Sequence, residues 1–439
     1  AGRFGRAQVA KERGAGMTHE TSWQLAHNIR RTGHLDIPGG GPVVVQDGYA
    51  YVGHIKPPNG TSIIDVRNPE KPEVVAHLEP PDSRSHTHKV RDAGNVMIAN
   101  VEQDRRHFLR KSAKIAGIRA ELGSGPDIAE ISRRLEVEPS DVAIIEAANA
   151  RGYGSGGFRV WDVSDKRSPK LLSYVRTHGF GVHRFDMDSE YAYISTEMEG
   201  YVGNILVNYD IRDPSNPIEI SRWHMQGRHI AAGETPSWCG YGHRLHHAMR
   251  CGDELWAAVW HAGIRVLDAS DLLRPRVVGS YRCPEAIPEP THTVMALEQR
   301  IGGRRYAVAV DEEHDQKPGR LRGFLWVLDV IDLSRIELVA AWDLSERASP
   351  WSGKPGTRFG VLQYRERFDS ALVYATWFAG GLRVLDLEDP RTPVEASYYF
   401  PQPGPDGTPP QSNDVDVDED GTIYLIDRGS GFDILEANL

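Results

Sequence analysis

All-β is the fold class the sequence predicts, and three observations predict it. A unit that opens on glycine, runs through an alternating apolar stretch ending in aspartate and turns at Asp-Pro recurs seven times, twice in degenerate form. Each copy is preceded by another alternating segment. The last copy stops before its final segment, and a matching segment stands near the N-terminus. Together they predict a seven-bladed β-propeller closed by the N-terminal strand, with a helical insertion in the second blade.

The clearest copies are GTSIIDVRNPEKPEVVAHL from Gly60, GFRVWDVSDKRSPKLLSYV from Gly157, GIRVLDASDLLRPRVVGSY from Gly263 and GLRVLDLEDPRTPVEASYY from Gly381. Degenerate copies start at Asn204 and Gly323, and GFDILEANL from Gly431 ends with the chain. Alternation such as Arg383, Val384, Leu385, Asp386 reads as a strand, and Asp-Pro supplies the turn to the next. The upstream pairs are Tyr49–Val52, Val96–Ala99, Tyr191–Ser195, Leu255–Val259, Tyr306–Val310, Leu372–Thr376 and Thr422–Ile426. A further short apolar segment precedes each, so a unit holds four short strands and clear copies recur about every 50 residues or more, as propeller blades with loop insertions do.

The strand missing after Leu439 has a donor in Arg31–Ile37, RTGHLDI, which matches outer segments such as SYVRTHG and leads into the first unit. Residues 1–30 are expected to be a partly disordered leader, with Met17 as a natural start, and residues 31–439 one propeller. The leader is small and basic and lacks the apolar stretch of a secretory signal. Residues 103–155 break the pattern with helical periodicity, Pro126 and Pro139 standing at helix starts and Gly123 at a helix end. Within them DIAEISRRLEVEPSDV has the outline of a helix-turn-helix, but its place inside a blade points to a lid or a homo-oligomer contact.

The apolar-apolar-Asp signature, here IIDV, RVWDV, RVLDA, WVLDV and RVLDL, resembles that of the LVIVD-repeat β-propeller family over nearly the whole chain from Arg31. The resemblance implies the fold and no particular reaction. With 51 Lys+Arg against 61 Asp+Glu among 439 residues, the net charge is −10, which argues against a nucleic-acid partner. No uncharged apolar run approaches the roughly 18–20 residues of a membrane span, so a cytoplasmic location without membrane contact is expected. Cys239, Cys251 and Cys283 form no CxxC pair and read as reduced thiols.

The 18 histidines carry the functional reading. His88, His183 and His247 each precede an aligned upstream pair by eight residues, and His292 fits once a longer turn is allowed for. Inner strands of a propeller line its channel, so these four are the expected ligands of a transition metal, iron or copper, with manganese or zinc as alternatives. His261, Glu197 and His54 are candidate catalytic groups, with Glu313, His314 and Asp427 at the same mouth. His86 has the parity to join the site, alternation turns His246 away, and Asn413 or Asp414 takes the place of histidine in the last blade. SNDVDVDEDG from Ser412 lacks the register of a calcium loop.

The expected function is a metal-dependent oxidoreductase or oxygenase acting on a small organic substrate. The ligand arrangement resembles that of carotenoid-cleavage oxygenases, whose propellers hold Fe(II) with four histidines, and of the copper propellers of the methanethiol-oxidase group. Blade sequences do not match those families, so their substrates are not carried over. A lyase or hydrolase using the ion as a Lewis acid is one alternative. A non-catalytic scaffold for protein interaction is the other.

Overall fold

The computed structural model describes residues 24–123, 127–236, 242–284, 287, 289–314, 321–354 and 357–439. They form antiparallel sheets that follow one another along the chain, each strand pairing with the next in sequence. The first holds Gly40–Gln46, Tyr49–His54, Thr61–Asp65 and Glu73–Leu78. Val90–Ala93, Val96–Gln103, Gly157–Asp162 and Lys170–Arg176 come next, then His178–Met187, Tyr191–Glu197, Ile205–Asp210 and Ile218–Trp223. A pairing of Gly181 with Glu102 joins these two groups. His247–Cys251, Glu254–Ala258, Ile264–Asp268 and Arg276–Tyr281 follow, then Thr291–Ala296, Tyr306–Asp311, Leu325–Asp329 and Glu337–Trp342. Next come Gln363–Tyr364, Leu372–Thr376, Leu382–Asp386 and Val394–Tyr399, and last Ser412–Val417, Ile423–Asp427 and Phe432–Ala437.

Two chain-distant strands complete the pairing. Ile29–Leu35 pairs antiparallel with Phe432–Ala437, and Ala26–His27 pairs with Val394–Tyr399. Pairing therefore begins inside the stretch read as a leader, and residues 1–23 of that stretch lie outside the described residues.

The repeat signature has a local cause. The aspartate that ends the third strand in four of these sheets accepts the backbone N–H two residues on: Asp162 from Ser164 at 2.9 Å, Asp210 from Arg212 at 3.0 Å, Asp268 from Ser270 at 3.1 Å and Asp386 from Glu388 at 2.7 Å. A second aspartate three residues later repeats the bond, Asp165 to Arg167 at 3.0 Å and Asp389 to Arg391 at 3.0 Å. Two consecutive side-chain turns thus reverse the chain within the seven residues between the strands, which alternation alone cannot do. The glycine that opens the unit is needed for a different reason. Gly263 and Gly381 have φ of +74° and +76°, and a Cβ on either would lie 2.4 Å from the carbonyl of Tyr281 or Tyr399 on the outer strand.

Apolar residues from neighbouring sheets form the core between them. Trp256, Val266, Val294 and Ala309 pack as one cluster, as do Val160, Val182, Ile194 and Val207. Outer strands keep exposed apolar positions such as Val277 and Val394.

Helices α1 (Arg106–Leu109), α2 (Ser112–Leu122), α3 (Ile128–Leu135) and α4 (Pro139–Arg151) lie between the paired strands Val96–Gln103 and Gly157–Asp162. Asp127 caps α3 by accepting Ala129 N–H at 2.9 Å, and Pro139 opens α4, where a missing N–H costs nothing. They share a small core of Ile115, Ile131, Leu135, Val142 and Ile145. Among the described residues no helix is long and apolar enough to cross a membrane.

The turn carboxylates make stability depend on pH. The Ser164 and Arg391 amides hold Asp162 and Asp389 below the usual range, and the Ser270 hydroxyl and amide hold Asp268 down to about 2. A depressed folded value contributes stability above the unfolded value, near 4, that is lost as pH falls through the folded one. The triple variant Asp162→Ala/Asp268→Ala/Asp389→Ala should lower the urea unfolding midpoint more at about pH 7 than at about pH 3. An equal loss at both would contradict this role.

Candidate metal centre

The ladder places an equivalent residue of each sheet on a common cavity. Register shifts leave His183 between Val182 and Arg184, His292 between Thr291 and Thr293, and Asn413 between Ser412 and Asp414 as the extra residue of the inner strand. Such a residue is unpaired in the ladder and is aimed off the sheet. His246 takes this place in its sheet, since its N–H bonds Ala258 O at 2.9 Å and His247 is the residue that pairs with Ala258. Gly41, His88, His183, His246, His292, Leu362 and Asn413 all line one cavity of about 460 Å³.

The position that ends each second strand supplies a further set. Six residues past Val96, Tyr306 and Thr422 stand Glu102, Glu312 and Arg428, and all three line the cavity. The basic Lys89, Arg184 and Arg358 also face it, as do Arg105 and Arg106 from the start of the helical insertion.

His246, His292 and Glu312 form a group whose ligand atoms lie within 4.8 Å of one another. His246 Nδ1 donates to the carbonyl of His292, and the His292 Nδ1–H meets the Thr293 hydroxyl at 2.9 Å. That hydroxyl itself donates to Gln363 Oε1 at 2.6 Å, so it accepts from His292. Both rings are pinned with the proton on Nδ1 and the lone pair on Nε2, the arrangement that outer partners impose on metal-binding histidines. Glu312 accepts His314 at 3.0 Å and Arg358 at 3.0 Å, one on each oxygen, and has lone pairs to spare. Burial alone would raise its carboxyl, but His314 and Arg358 outweigh that and hold it well below its ordinary value.

His86, His88 and Glu102 form a second group of the same kind. Here the oxygens are already claimed. Glu102 Oε1 accepts Arg106 at 2.6 Å, while Oε2 faces His86 Nε2 at 3.1 Å and His183 Nδ1 at 3.2 Å. His86 Nδ1 donates to Ile55 O at 2.8 Å, so a proton is shared between its Nε2 and Glu102. His88 Nδ1 faces the Asn100 amide nitrogen at 3.3 Å, which puts its own proton on Nε2. The residues fit a proton-bearing pair better than a metal.

The expected ligands separate accordingly. His292 joins the first group and His88 the second. His183 donates to Glu102 and accepts Arg106 at 2.9 Å, so both its nitrogens are occupied. His247 is turned off the cavity, its Nε2 on Phe185 O at 3.2 Å and its Nδ1 taking Arg184 at 3.2 Å. The eight-residue count places His246 on the axis when it starts from Glu254, the residue opposite Asp268, instead of Leu255. Of the expected catalytic groups, His54 is buried with Nδ1 on Pro38 O and Nε2 on the Ser62 hydroxyl, both at 2.8 Å. Glu197 is paired with Arg110 just behind α1, and His261 is exposed beside Trp260. Glu313 holds the amides of Phe359 and Gly360, Asp427 those of Gln411, Gly429 and Ser430.

Rings adjacent in chain order are adjacent in space: centroids lie 4.0 Å apart for His86–His88, 5.7 Å for His88–His183, 4.9 Å for His183–His246 and 4.0 Å for His246–His292. Burial first, then neighbouring cations and rings, holds His88, His183, His246 and His292 well below the ordinary imidazole value, so all four are neutral at pH 7. Trp260 and Phe378 flank this face with φ of +50° and +39°, strained for bulky residues and held by their surroundings.

Burial also lowers His54 to about 4. A lowered folded value leaves stability full above about 6.5 and erodes it below, as the unfolded chain takes the proton first. At about pH 4.5 His54 alone should remove on the order of 2 kcal/mol. A His54→Gln variant should therefore lose less stability than the parent between neutral pH and that point; equal losses would contradict the assignment.

A model of the LVIVD repeat matches residues 41–78, the first sheet. No curated protein matches the sequence. Among solved structures the chain is similar to one in a crystal structure of the mitotic checkpoint complex, at 9% identity, 100% of this chain, 98% of that one and TM-score 0.54. It is also similar to the β-propeller domain of Myceliophteria thermophila Cps50 (Swd1), at 10% identity, 93% of this chain, 100% of that one and TM-score 0.54. At such identities the likeness concerns the fold alone. The match to the repeat and the likeness to a propeller domain agree with the sheet pattern: the chain carries an LVIVD repeat and has a β-propeller fold.

Proposed function

We propose that the sheets are seven blades of one ring closed by the N-terminal strand, and that the ring holds a metal-dependent oxidoreductase acting on a small organic substrate. Ring closure is supported by a core cluster in which Val43, Ala50 and Val52 of the first sheet pack with Tyr424, Ile426 and Phe432 of the last. It is supported too by Gly431, at φ +84°, whose Cβ would lie 2.6 Å from the carbonyl of Leu35, the contact that Gly263 and Gly381 make with their outer strands.

The observation that carries the activity is the pair of Nε2 lone pairs on His246 and His292 beside the Glu312 carboxylate. Two imidazoles and one carboxylate suit iron in oxygen chemistry, and such an ion would supply the redox step. The other residues bind and protect. Arg106 from α1 reaches Glu102 and His183, which seats the insertion over the cavity and keeps bulk water from it. The His86 Nε2 and Glu102 Oε2 pair lies at the cavity wall within hydrogen-bond distance, which makes His86 the acid–base group in this reading.

A donor set of two histidines and one glutamate also serves zinc as a Lewis acid, the basis of the lyase or hydrolase alternative. The protein-satisfied rings of His183 and His54 favour the scaffold reading, in which histidines are hydrogen-bonding plugs. Elemental analysis of untagged protein separates the three. Near one equivalent of metal is expected in the parent and in His247→Ala, and its loss in His246→Ala/His292→Ala. Iron or copper supports the oxidoreductase and zinc the Lewis-acid enzyme. No metal in any of them overturns both and leaves the scaffold.

A further inference from the structure

We infer that the wall of the cavity formed by Lys89, Arg184, Arg358 and Arg428 is a subsite for the oxyanion of a small organic molecule, a carboxylate or a phosphate. The inference rests on reading the cavity as a substrate site and names the class of substrate.

Six cationic residues line the cavity, Lys89, Arg105, Arg106, Arg184, Arg358 and Arg428, against the three carboxylates Glu102, Asp104 and Glu312. This is the reverse of the chain as a whole, whose net charge is −10. Three of the cations are matched: Arg106 by Glu102 at 2.6 Å, Arg358 by Glu312 at 3.0 Å and Arg184 by Glu366. Two that face the interior are not. The Lys89 ammonium makes no hydrogen bond or ion pair among the described residues, and the Asp414 carboxylate near it turns to the amides of Val43 and Val415. Arg428 gives Nε to Asn413 Oδ1 at 2.6 Å, and its terminal nitrogens make no hydrogen bond or ion pair among the described residues.

These groups line the same cavity. The guanidiniums of Arg358 and Arg428 lie 4.0 and 5.0 Å from the ring centroid of the buried Phe378. Burial first, then Arg184, holds the Lys89 amine well below its ordinary value, and an anion between Lys89 and Arg428 offsets the cost of enclosing their charges. An arginine fork and a lysine ammonium together offer a geometry that carboxylates and phosphates fill with several charge-assisted bonds. Arg358 touches Glu312, so an oxyanion held here leaves the rest of its molecule against His246 and His292. The cavity of about 460 Å³ falls within the roughly 300–1,000 Å³ of small-molecule sites.

Titration calorimetry on the full chain, as purified and after chelation, tests the subsite apart from the metal. Succinate and inorganic phosphate are the probes, with neutral succinamide as control. One of the anions should bind at one equivalent in both preparations and succinamide in neither. Lys89→Met and Arg428→Gln should each weaken binding by about tenfold or more, while Arg428→Lys keeps most of it. Tighter succinate assigns a carboxylate, tighter phosphate a phosphate. The inference is overturned by no binding of either anion to the parent, by equal binding of succinamide, or by affinity unchanged in the folded variants. Failure with metal still bound leaves the metal reading standing, and anion binding without metal does the converse.

Discussion

The structure depends on how each sheet begins. The ladder passes over one residue near the start of the inner strand at His183, His246, His292 and Asn413, and that side chain faces the cavity. Hydrogen bonding to the second strand fixes this register, as at His246, whose N–H bonds Ala258 before His247 takes up the pairing. Because consecutive sheets stand side by side, consecutive copies of the position become neighbours in space. Four histidines in a row along the chain thereby become an arc of rings 4.0 to 5.7 Å apart. A scaffold built from repeats needs no long-range coincidence to assemble such a cluster, since each repeat delivers one member.

Similar neighbours then take different parts because their second partners differ. His246 and His292 give the Nδ1 proton to a carbonyl and to a hydroxyl and keep Nε2 free. His183 meets an arginine and a carboxylate and has nothing left to offer. Burial keeps all of these rings neutral, so the cationic character of the cavity comes from arginine. The helical insertion belongs to this arrangement, since Arg106 links α1 to Glu102 and its neighbouring Arg105 lines the same space.

The β class, the strand limits and the insertion were legible because turn chemistry and alternation act over a few residues. Asp268 and Asp389 mark their turns by a bond two residues long, and Gly381 marks a contact any Cβ would forbid. The site was legible only in part. His88, His183 and His292 stand out by count, but choosing between His246 and His247 needed the pairing of Glu254 with Asp268, where one residue of slip turns a side chain to the other face. Alternation failed at His246 because the residue precedes the regular ladder. Glu102, Glu312 and Arg428 share a place after the second strand that was open to the same alignment, although neighbours at that place, Glu197 and Trp260, serve packing and pairing instead. Lys89 and Arg428 carried no signal, since nothing in sequence tells an enclosed cation from a solvated one.

The central claim is that His246, His292 and Glu312 hold a metal ion. Anomalous diffraction from crystals of the full chain, grown with Fe(II) under nitrogen and measured on both sides of the iron edge, tests it most directly. One edge-dependent peak is expected within bonding distance of His246 Nε2, His292 Nε2 and a Glu312 oxygen. A peak at His86, His88 and Glu102 instead, or none in the cavity, would contradict it.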